Sequence, residues 1–356
     1  MCTDGKNSWN HTMEIEDFSI NETLTQAAQQ ILDHSFAIYR VNEELVKKIR
    51  LAHHSAVQFF RQIESREASD EGTLVLSPIQ CHNNQMPSYP CQRIVDGNLY
   101  GFNIPSPAKK LFRAFCGSPH QPWPTDAKFQ RHSTNLADEL HQLLIDCTKE
   151  IRKEFLCRRQ QTFSKSDDSC LPPTKRSRIE TESPSTVTGQ ESHDERLLSE
   201  ASFPRRGCPL DYFFYHNQNP RQVNCSEHVD RGVLIVVCLT NVPGLELLPR
   251  YNRRHGDGDE SRTQLLQPYV CPETLVHNTN LYREVSDPCS EYLAIMAGDQ
   301  LAEVLKTSSI TNLNGMDKET DEMMRDQDFP KATVHRVKRY LARARLSITY
   351  ELRSAR

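Results

Sequence analysis

The most constraining feature of this sequence is a short segment in which two metal-ligand side chains precede an apolar run. His228 and Asp230 are separated by one residue, so in an extended chain both side chains point to the same face. The run Val233–Leu239 follows, and its short, β-branched composition is typical of a strand. We therefore expect an imidazole and a carboxylate to lie side by side next to a strand, where a divalent transition metal can use both.

Three side chains downstream complete a pattern with this pair. His335 lies in a second β-rich segment and is a candidate third ligand. Arg345 follows ten residues later and shares a face with Ser347 if that segment is also extended. A guanidinium beside a hydroxyl is suited to holding a carboxylate. The interpretation depends on the whole set, because two ligands alone do not make a metal site.

This ordered set resembles the signature of the iron(II)/2-oxoglutarate-dependent dioxygenase superfamily, and most closely its isopenicillin N synthase-like branch. Three surrounding segments are similar to segments of that branch: residues 208–215 before the His-x-Asp pair, 241–247 after the metal strand, and 295–301 before the distal histidine. The resemblance extends over about residues 206–356 and is looser in the N-terminal half.

The resemblance implies a set of metal ligands. His228, Asp230 and His335 would bind iron(II) on one face and leave three coordination positions open. Cys225 also lies near the pair, three positions before His228. In a regular strand this offset puts the thiol on the opposite face, so we do not expect Cys225 to be a ligand.

The resemblance also implies how 2-oxoglutarate is held. Arg345 would bind its distal carboxylate through the planar guanidinium, and Ser347 would add a hydrogen bond. A tyrosine from the strand before the His-x-Asp pair often contacts the same carboxylate in this family. Tyr212 is the first candidate for this role because of its spacing, and Tyr215 is the second.

The implied activity is oxidation of a small organic substrate by dioxygen, either hydroxylation or desaturation, with release of succinate and carbon dioxide and with ascorbate as a supporting reductant. Two alternatives remain: a non-catalytic binding or regulatory protein on the same fold, and an iron oxidase of this branch that does not use 2-oxoglutarate. The complete set of polar groups favours the active oxygenase. Succinate formation separates the iron oxidase from it. Nothing in the sequence marks a nucleic-acid substrate.

The implied fold is α+β, with a double-stranded β-helix (jelly-roll) core, N-terminal helices packed outside it and a disordered insert. The strands of the core are predicted from short segments that turns separate: Leu210–Tyr215, Gly232–Thr240, Glu291–Ala297, Thr333–Val337 and Leu346–Leu352. Upstream, the apolar spacing predicts helices starting at the candidate N-caps Asn21 and Asn42, a short helix over 108–115 and a longer one over 135–156.

Composition divides the chain into four predicted parts: a disordered N-terminus (1–20), an N-terminal helical and mixed region (21–157), a flexible insert rich in Ser, Pro and charge (158–206) and the jelly-roll domain (207–356). The insert carries Lys175, Arg176 and Arg178, a cluster that an import receptor for the nucleus can recognise. Polar insertions over 250–267 and 307–328 interrupt the last part.

Charge and cysteine content exclude several classes of protein. The formal net charge is −4 for 356 residues, so there is no global signature of nucleic-acid or membrane binding. Twelve cysteines without a Cys-x-x-Cys pair argue against a disulfide framework and a structural zinc site. We therefore expect a reducing compartment: the cytoplasm, and also the nucleus if an import receptor recognises the basic cluster.

Overall fold

The computed structural model describes eleven stretches of the chain: residues 19–69, 92–95, 98–106, 109–124, 126–166, 202–216, 223–249, 269–276, 291–311, 329–338 and 344–355. Several predictions lie outside these residues. They concern residues 1–18 of the predicted N-terminal tail, the insert from 167 to 201 with its basic cluster, and the insertions over 250–267 and 312–328.

A large sheet organises the described residues. Its strands are β1 (Ile20–Asn21), β2 (Phe36–Arg40), β3 (Gln92–Val95), β4 (Asn98–Ser106), β5 (Lys109–Ala114), β6 (Leu210–Tyr215), β8 (Leu234–Cys238), β10 (Tyr292–Ala297) and β12 (Arg345–Leu352). Their order is β1-β2-β10-β8-β12-β6-β5-β4-β3. Only the β1–β2 pair is parallel among the described pairs. N-terminal and C-terminal strands therefore share one sheet.

A smaller antiparallel sheet completes the sandwich. It contains β7 (Cys225–His228), β9 (Leu245–Leu248) and β11 (Val334–Val337), in the order β7-β11-β9. An inner core of apolar side chains from both sheets lies between them. All five strands predicted for this part are confirmed, with ends that differ by at most two residues. Two mostly antiparallel sheets face to face are consistent with the predicted jelly-roll core.

Most of the described helices cover the other face of the larger sheet, and one packs against the inner core. The described helices are α1 (Leu24–His34), α2 (Glu43–Ser69), α3 (Ala127–Ser166), α4 (Pro272–Val276) and α5 (Leu301–Thr311). Apolar residues of α1, α2 and α3 form an outer core with β6, β8 and β12, whereas α4 packs against the inner core. No helix within the described stretches is long and apolar enough to cross a membrane.

Alternation along the strands divides side chains between the two cores. Along β6, Tyr212 and Phe214 join the outer core, whereas Tyr215 joins the inner one. Successive side chains of a strand point to opposite faces, and both faces of this sheet are covered. This explains why β8 is apolar at every position, since a strand buried on both sides reads as a continuous apolar run.

The two predicted N-caps have different outcomes. The Asn42 cap is confirmed, because its Oδ1 accepts a hydrogen bond from the Leu45 backbone N–H at 2.9 Å. The Asn21 cap is wrong. Thr23 caps α1 in a reciprocal box with Gln26, while Asn21 lies in β1 and its side-chain amide donates to the Ile38 carbonyl at 2.9 Å.

The predicted short helix over 108–115 is also wrong, because this segment is strand β5. It pairs with β4 on one side and with β6 on the other, and such pairing overrides a weak local preference. The predicted helix over 135–156 is confirmed and longer, running as α3 from 127 to 166.

Candidate metal centre and adjoining cavity

The two sheets bring the predicted ligands together. His228 ends β7 and lies directly opposite His335 in the β7–β11 register, with 4.2 Å between the ring centroids. Asp230 lies two residues after His228, and its carboxylate is 3.7 Å from Nε2 of His228 and 3.4 Å from Nε2 of His335. One potential ligand atom from each residue lies within 4.8 Å of the other two.

These separations fit a shared metal ion. Atoms bound to one ion at about 2.0–2.2 Å each lie at most ~4.4 Å apart, and both carboxylate–imidazole distances fall below this limit. Two imidazoles with one carboxylate are also the donor set that suits iron(II).

Hydrogen bonds orient both imidazoles toward the carboxylate. Nδ1 of His335 lies 3.3 Å from the Thr333 carbonyl oxygen, and Nδ1 of His228 lies 2.7 Å from that of Ser226. Carbonyl oxygens only accept, so each Nδ1 carries the hydrogen. In the neutral ring, Nε2 then keeps its lone pair for a metal.

The two imidazoles differ in their affinity for a proton. Burial lowers the pKa of His335 to about 4, so this ring is neutral at pH 7. A hydrogen bond with Cys225 is the largest cause that raises the pKa of His228 to about 9. Without a metal, His228 therefore carries a proton that a metal ion must displace.

Close backbone packing fixes the position of Asp230. The Asp299 N–H donates to the Asp230 carbonyl at 3.1 Å, and the Gln300 N–H donates to the Gly232 carbonyl at the same distance. A Cβ at Gly298 would lie 1.9 Å from the Gly232 carbonyl oxygen. The segment that the sequence resemblance marked before the distal histidine thus holds the loop that carries a metal ligand.

A cavity of about 90 Å³ adjoins the three candidate ligands between the two sheets. One water needs roughly 10–15 Å³ of such space, so the cavity has room for a small organic acid. Its walls come from both sheets, and the polar or ionisable side chains among them are Lys109, Arg113, Asp211, Tyr215, Cys225, His228, Asp230, His335, Ser347, Thr349 and Glu351.

Cys225 lies closer to the metal centre than its spacing predicts. Between β7 and β11, the register pairs His228 with His335 but Cys225 with Val337. This irregularity places one extra residue on β7, as in a β-bulge. Cys225 consequently lines the same cavity as His228, with Sγ 3.8 Å from Nδ1. The expectation that it faces away was wrong, although it is not part of the ligand cluster.

Of the two candidate tyrosines, only Tyr215 lines the cavity. Tyr212 points to the other face of β6, where its hydroxyl donates to Ser133 Oγ of α3 at 2.8 Å. Tyr212 is fully buried there. The expected contact of Tyr212 with a cosubstrate is thus corrected, because a tyrosine bonded to the helical layer cannot also reach the cavity.

Ser347 lines the cavity, and Arg345 lies on the same face of β12, one step toward the start of the strand. Nη1 of Arg345 donates to the Val242 carbonyl at 2.7 Å and lies 2.7 Å from Oε1 of Glu273 on α4. Nε and Nη2 are buried without a hydrogen-bond partner in the described part of the chain. Together they form the fork that a carboxylate binds with two parallel hydrogen bonds.

Gly244 makes room for this arginine. A Cβ there would lie 3.4 Å from Nη1 of Arg345 and 2.9 Å from the Lys338 carbonyl oxygen. The residue also has a φ of +155°, which side chains rarely adopt. The Val-Pro-Gly segment of the sequence resemblance therefore positions the guanidinium.

Sequence reasoning missed several charged residues of the cavity. Arg113 of β5 forms a two-pronged ion pair with Asp211, with Nε 2.8 Å from Oδ1. Lys109, on the same face of β5, also lines the cavity. Neither was foreseen, because β5 was expected to be a helix. Glu273 was missed as well, since no local pattern links it to β12.

No protein-family model matches this sequence, and no curated protein matches it significantly. Solved structures do share its architecture. A full-length Neurospora crassa protein in complex with alpha-KG superposes with a TM-score of 0.50 at 14% identity, over 93% of this chain and 78% of that one. A putative oxygenase from Shewanella oneidensis gives a TM-score of 0.50 at 12% identity, over 95% and 90% of the two chains. The chain therefore shares the fold of these two proteins.

Proposed function

We propose that this chain is a non-haem iron(II)- and 2-oxoglutarate-dependent oxygenase that hydroxylates or desaturates a small organic molecule. The observation that carries the proposal is that two imidazoles and one carboxylate lie together beside a small cavity. Each imidazole can bind a metal ion through Nε2 in its neutral form. The open guanidinium fork of Arg345 is buried on the face of β12 that also carries Ser347, a residue of the cavity wall. The solved Neurospora crassa structure with alpha-KG on this fold adds support.

In this proposal His228, Asp230 and His335 hold the iron. The chemistry supplied by bound iron(II) with 2-oxoglutarate and dioxygen is oxidation of a substrate C–H bond coupled to decarboxylation to succinate. The chain's own contribution is placement. The carbonyls of Ser226 and Thr333 fix the two rings through Nδ1, so that both Nε2 atoms face the centre.

The distal carboxylate of 2-oxoglutarate binds at the other end of the cavity. Nε and Nη2 of Arg345 donate two parallel hydrogen bonds to it, and Ser347 donates a further one. Tyr215 takes the role that the sequence resemblance gave to Tyr212. Burial strongly raises the pKa of Tyr215, so its hydroxyl keeps its hydrogen and can donate at neutral pH.

The direct test measures succinate released from 2-oxoglutarate by the purified chain with iron(II), dioxygen and ascorbate. Turnover without substrate is expected at a low rate and should vanish in a His228→Ala/Asp230→Ala double variant. Screening metabolite pools for compounds that accelerate this release then identifies the substrate. Binding of iron without any binding or turnover of 2-oxoglutarate rejects this function and favours an iron oxidase of the isopenicillin N synthase-like branch. Absence of both favours a non-catalytic protein on the same fold.

A further inference from the structure

Three side chains of the inner face lie in one row across the larger sheet, and two of them, Lys109 and Tyr215, line the cavity. Tyr215 of β6 is the register partner of Lys109 on β5 and of Arg345 on β12. Side chains opposite each other on neighbouring strands point to the same face. Two cations and a tyrosine thus lie side by side on the face of the sheet where the proposed function puts the distal carboxylate.

The two cations differ in their counterions. Arg345 is paired with Glu273, and both side chains are buried, at 2% and 0% exposure. Arg113, which lines the cavity wall, is paired with Asp211. In contrast, no carboxylate of the described residues forms an ion pair with Lys109. The polar contact of its ammonium is Cys225 Sγ at 3.9 Å.

Aromatic rings hold the Lys109 ammonium at the cavity wall. Nζ lies 4.3 Å from the centre of the Phe213 ring and 5.7 Å from that of Tyr215. Ring faces attract a cation without neutralising its charge. The ammonium is therefore positioned while it keeps its capacity to attract an anion.

We propose that Lys109 is a cosubstrate-binding residue that supplies the net positive charge for the distal carboxylate, while Arg345 supplies the hydrogen-bond geometry. This inference rests on the proposed function. The charges of Arg345 and Glu273 cancel, so a carboxylate that binds only this pair binds a site of no net charge. Such a site exerts little Coulomb attraction on an anion. Adding Lys109 gives the end of the cavity a charge of +1 toward a dicarboxylate.

The test compares two keto acids that differ in the distal group. The probes are 2-oxoglutarate and 2-oxopentanoate, in which a methyl group replaces the distal carboxylate. Their affinities for the full chain are measured by calorimetry with Mn(II), a redox-inactive stand-in for iron(II). The wild-type chain should bind 2-oxoglutarate more tightly than 2-oxopentanoate. Lys109→Met should lower the affinity for 2-oxoglutarate by at least about tenfold and leave the affinity for 2-oxopentanoate unchanged. Lys109→Arg should retain most of the preference.

Two control variants isolate the ammonium. Lys110→Met removes the next lysine of β5, whose ammonium faces the outer layer and lies 3.5 Å from Glu64. If thermal unfolding shows that this variant is folded, it should keep the preference for 2-oxoglutarate over 2-oxopentanoate. Cys225→Ala should also keep it. If Cys225→Ala causes the same loss as Lys109→Met, the lysine acts through the thiol and the inference is overturned.

A compensating variant tests the charge argument itself. Adding Glu273→Gln to Lys109→Met removes the counterion of Arg345 and should recover part of the lost 2-oxoglutarate affinity. If folded Lys109→Met binds 2-oxoglutarate as wild type does, the inference fails and the proposed function stands. If wild type with Mn(II) binds neither keto acid, the proposed function fails, and the role of Lys109 with it.

Discussion

Arg345 of β12 and Glu273 of α4 form an ion pair that is almost fully withdrawn from solvent. Nη1 lies 2.7 Å from Oε1, and the side chains are 2% and 0% exposed. The approach is close but poorly angled for a hydrogen bond, since Oε1 has no hydrogen-bond partner in the described part of the structure. The pair is therefore mainly electrostatic, and each charge depends on the other for its burial.

Removing Glu273 should consequently destabilise the fold. Glu273→Ala leaves a buried guanidinium without its counterion, a change that typically costs about 3–5 kcal/mol. Urea denaturation should show this loss, and the Glu273→Ala/Arg345→Ala double variant should lose less than the sum of the single variants. Glu303→Ala, an exposed position on α5, is the control and should stay within about 0.5 kcal/mol of wild type. Equal effects of the two glutamate variants would contradict a buried pair.

Loss of Arg345 should separate cosubstrate binding from metal binding. Truncating one partner of a hydrogen-bonded charge pair costs ~2–5 kcal/mol of binding free energy. Arg345→Ala should therefore lower the affinity for 2-oxoglutarate by roughly 30- to 1,000-fold or more. Iron should still bind, because Arg345 is not in the ligand cluster. Arg345→Lys should recover only part of the affinity, since an ammonium lacks the planar fork. Unchanged 2-oxoglutarate affinity in a folded Arg345→Ala variant would refute this location of the cosubstrate.

The two tyrosines of β6 provide a matched pair of variants. Tyr215→Phe should lower the affinity for 2-oxoglutarate by about tenfold or more, as expected for a lost hydrogen bond to a charged group. Tyr212→Phe should leave that affinity unchanged and instead lower the free energy of unfolding by about 0.5–1.5 kcal/mol, because it loses the bond to Ser133. Calorimetry and denaturant unfolding on both variants decide the assignment. The opposite outcome would restore Tyr212 as the contact.

Metal affinity should increase with pH over an unusually wide range. In the metal-free protein the pKa of His228 is about 9, so below this pH a metal ion must displace one proton from the ring. Affinity should therefore rise up to tenfold per pH unit and level off above about 9. The pKa of His335 is about 4, so protonation of this ring lowers the metal affinity further only under acidic conditions. Competition with a metal chelator across this range measures the slope, and a flat response at neutral pH would contradict a protonated His228.

Gly298 should be needed for the metal site although it is not a ligand. A Cβ there would lie 1.9 Å from the Gly232 carbonyl oxygen, so Gly298→Ala must push the Asp230 loop away. We expect metal affinity to fall by tenfold or more, on the order of the effect of losing an outer-shell partner. Gly207→Ala is the control, because no described residue lies within 4 Å of its added Cβ. Normal metal binding in Gly298→Ala would show that this contact does not position Asp230.

The sequence by itself determined the parts of this protein that depend on local composition and on the spacing of neighbouring residues. Short segments rich in β-branched or aromatic residues and separated by turns predicted β6, β8, β10, β11 and β12, with small errors at the ends. The one-residue separation of His228 and Asp230 indicated a shared ligand pair. The strand predictions succeed because β-branched and aromatic segments between turns favour an extended chain wherever they lie in the fold.

Which face of a strand is the inner face was decided only by the tertiary structure. Because β6 is buried on both sides, its pattern cannot distinguish Tyr212 from Tyr215, and the packing of α3 on one face made the choice. Lys109 reached the cavity because β5 pairs with β6 instead of forming a helix. Cys225 faces His228 because of an irregular register with β11. The contact of Glu273 with Arg345 joins a helix and a strand that are distant in sequence, and no local pattern encodes it because it depends on how these elements pack in the folded chain.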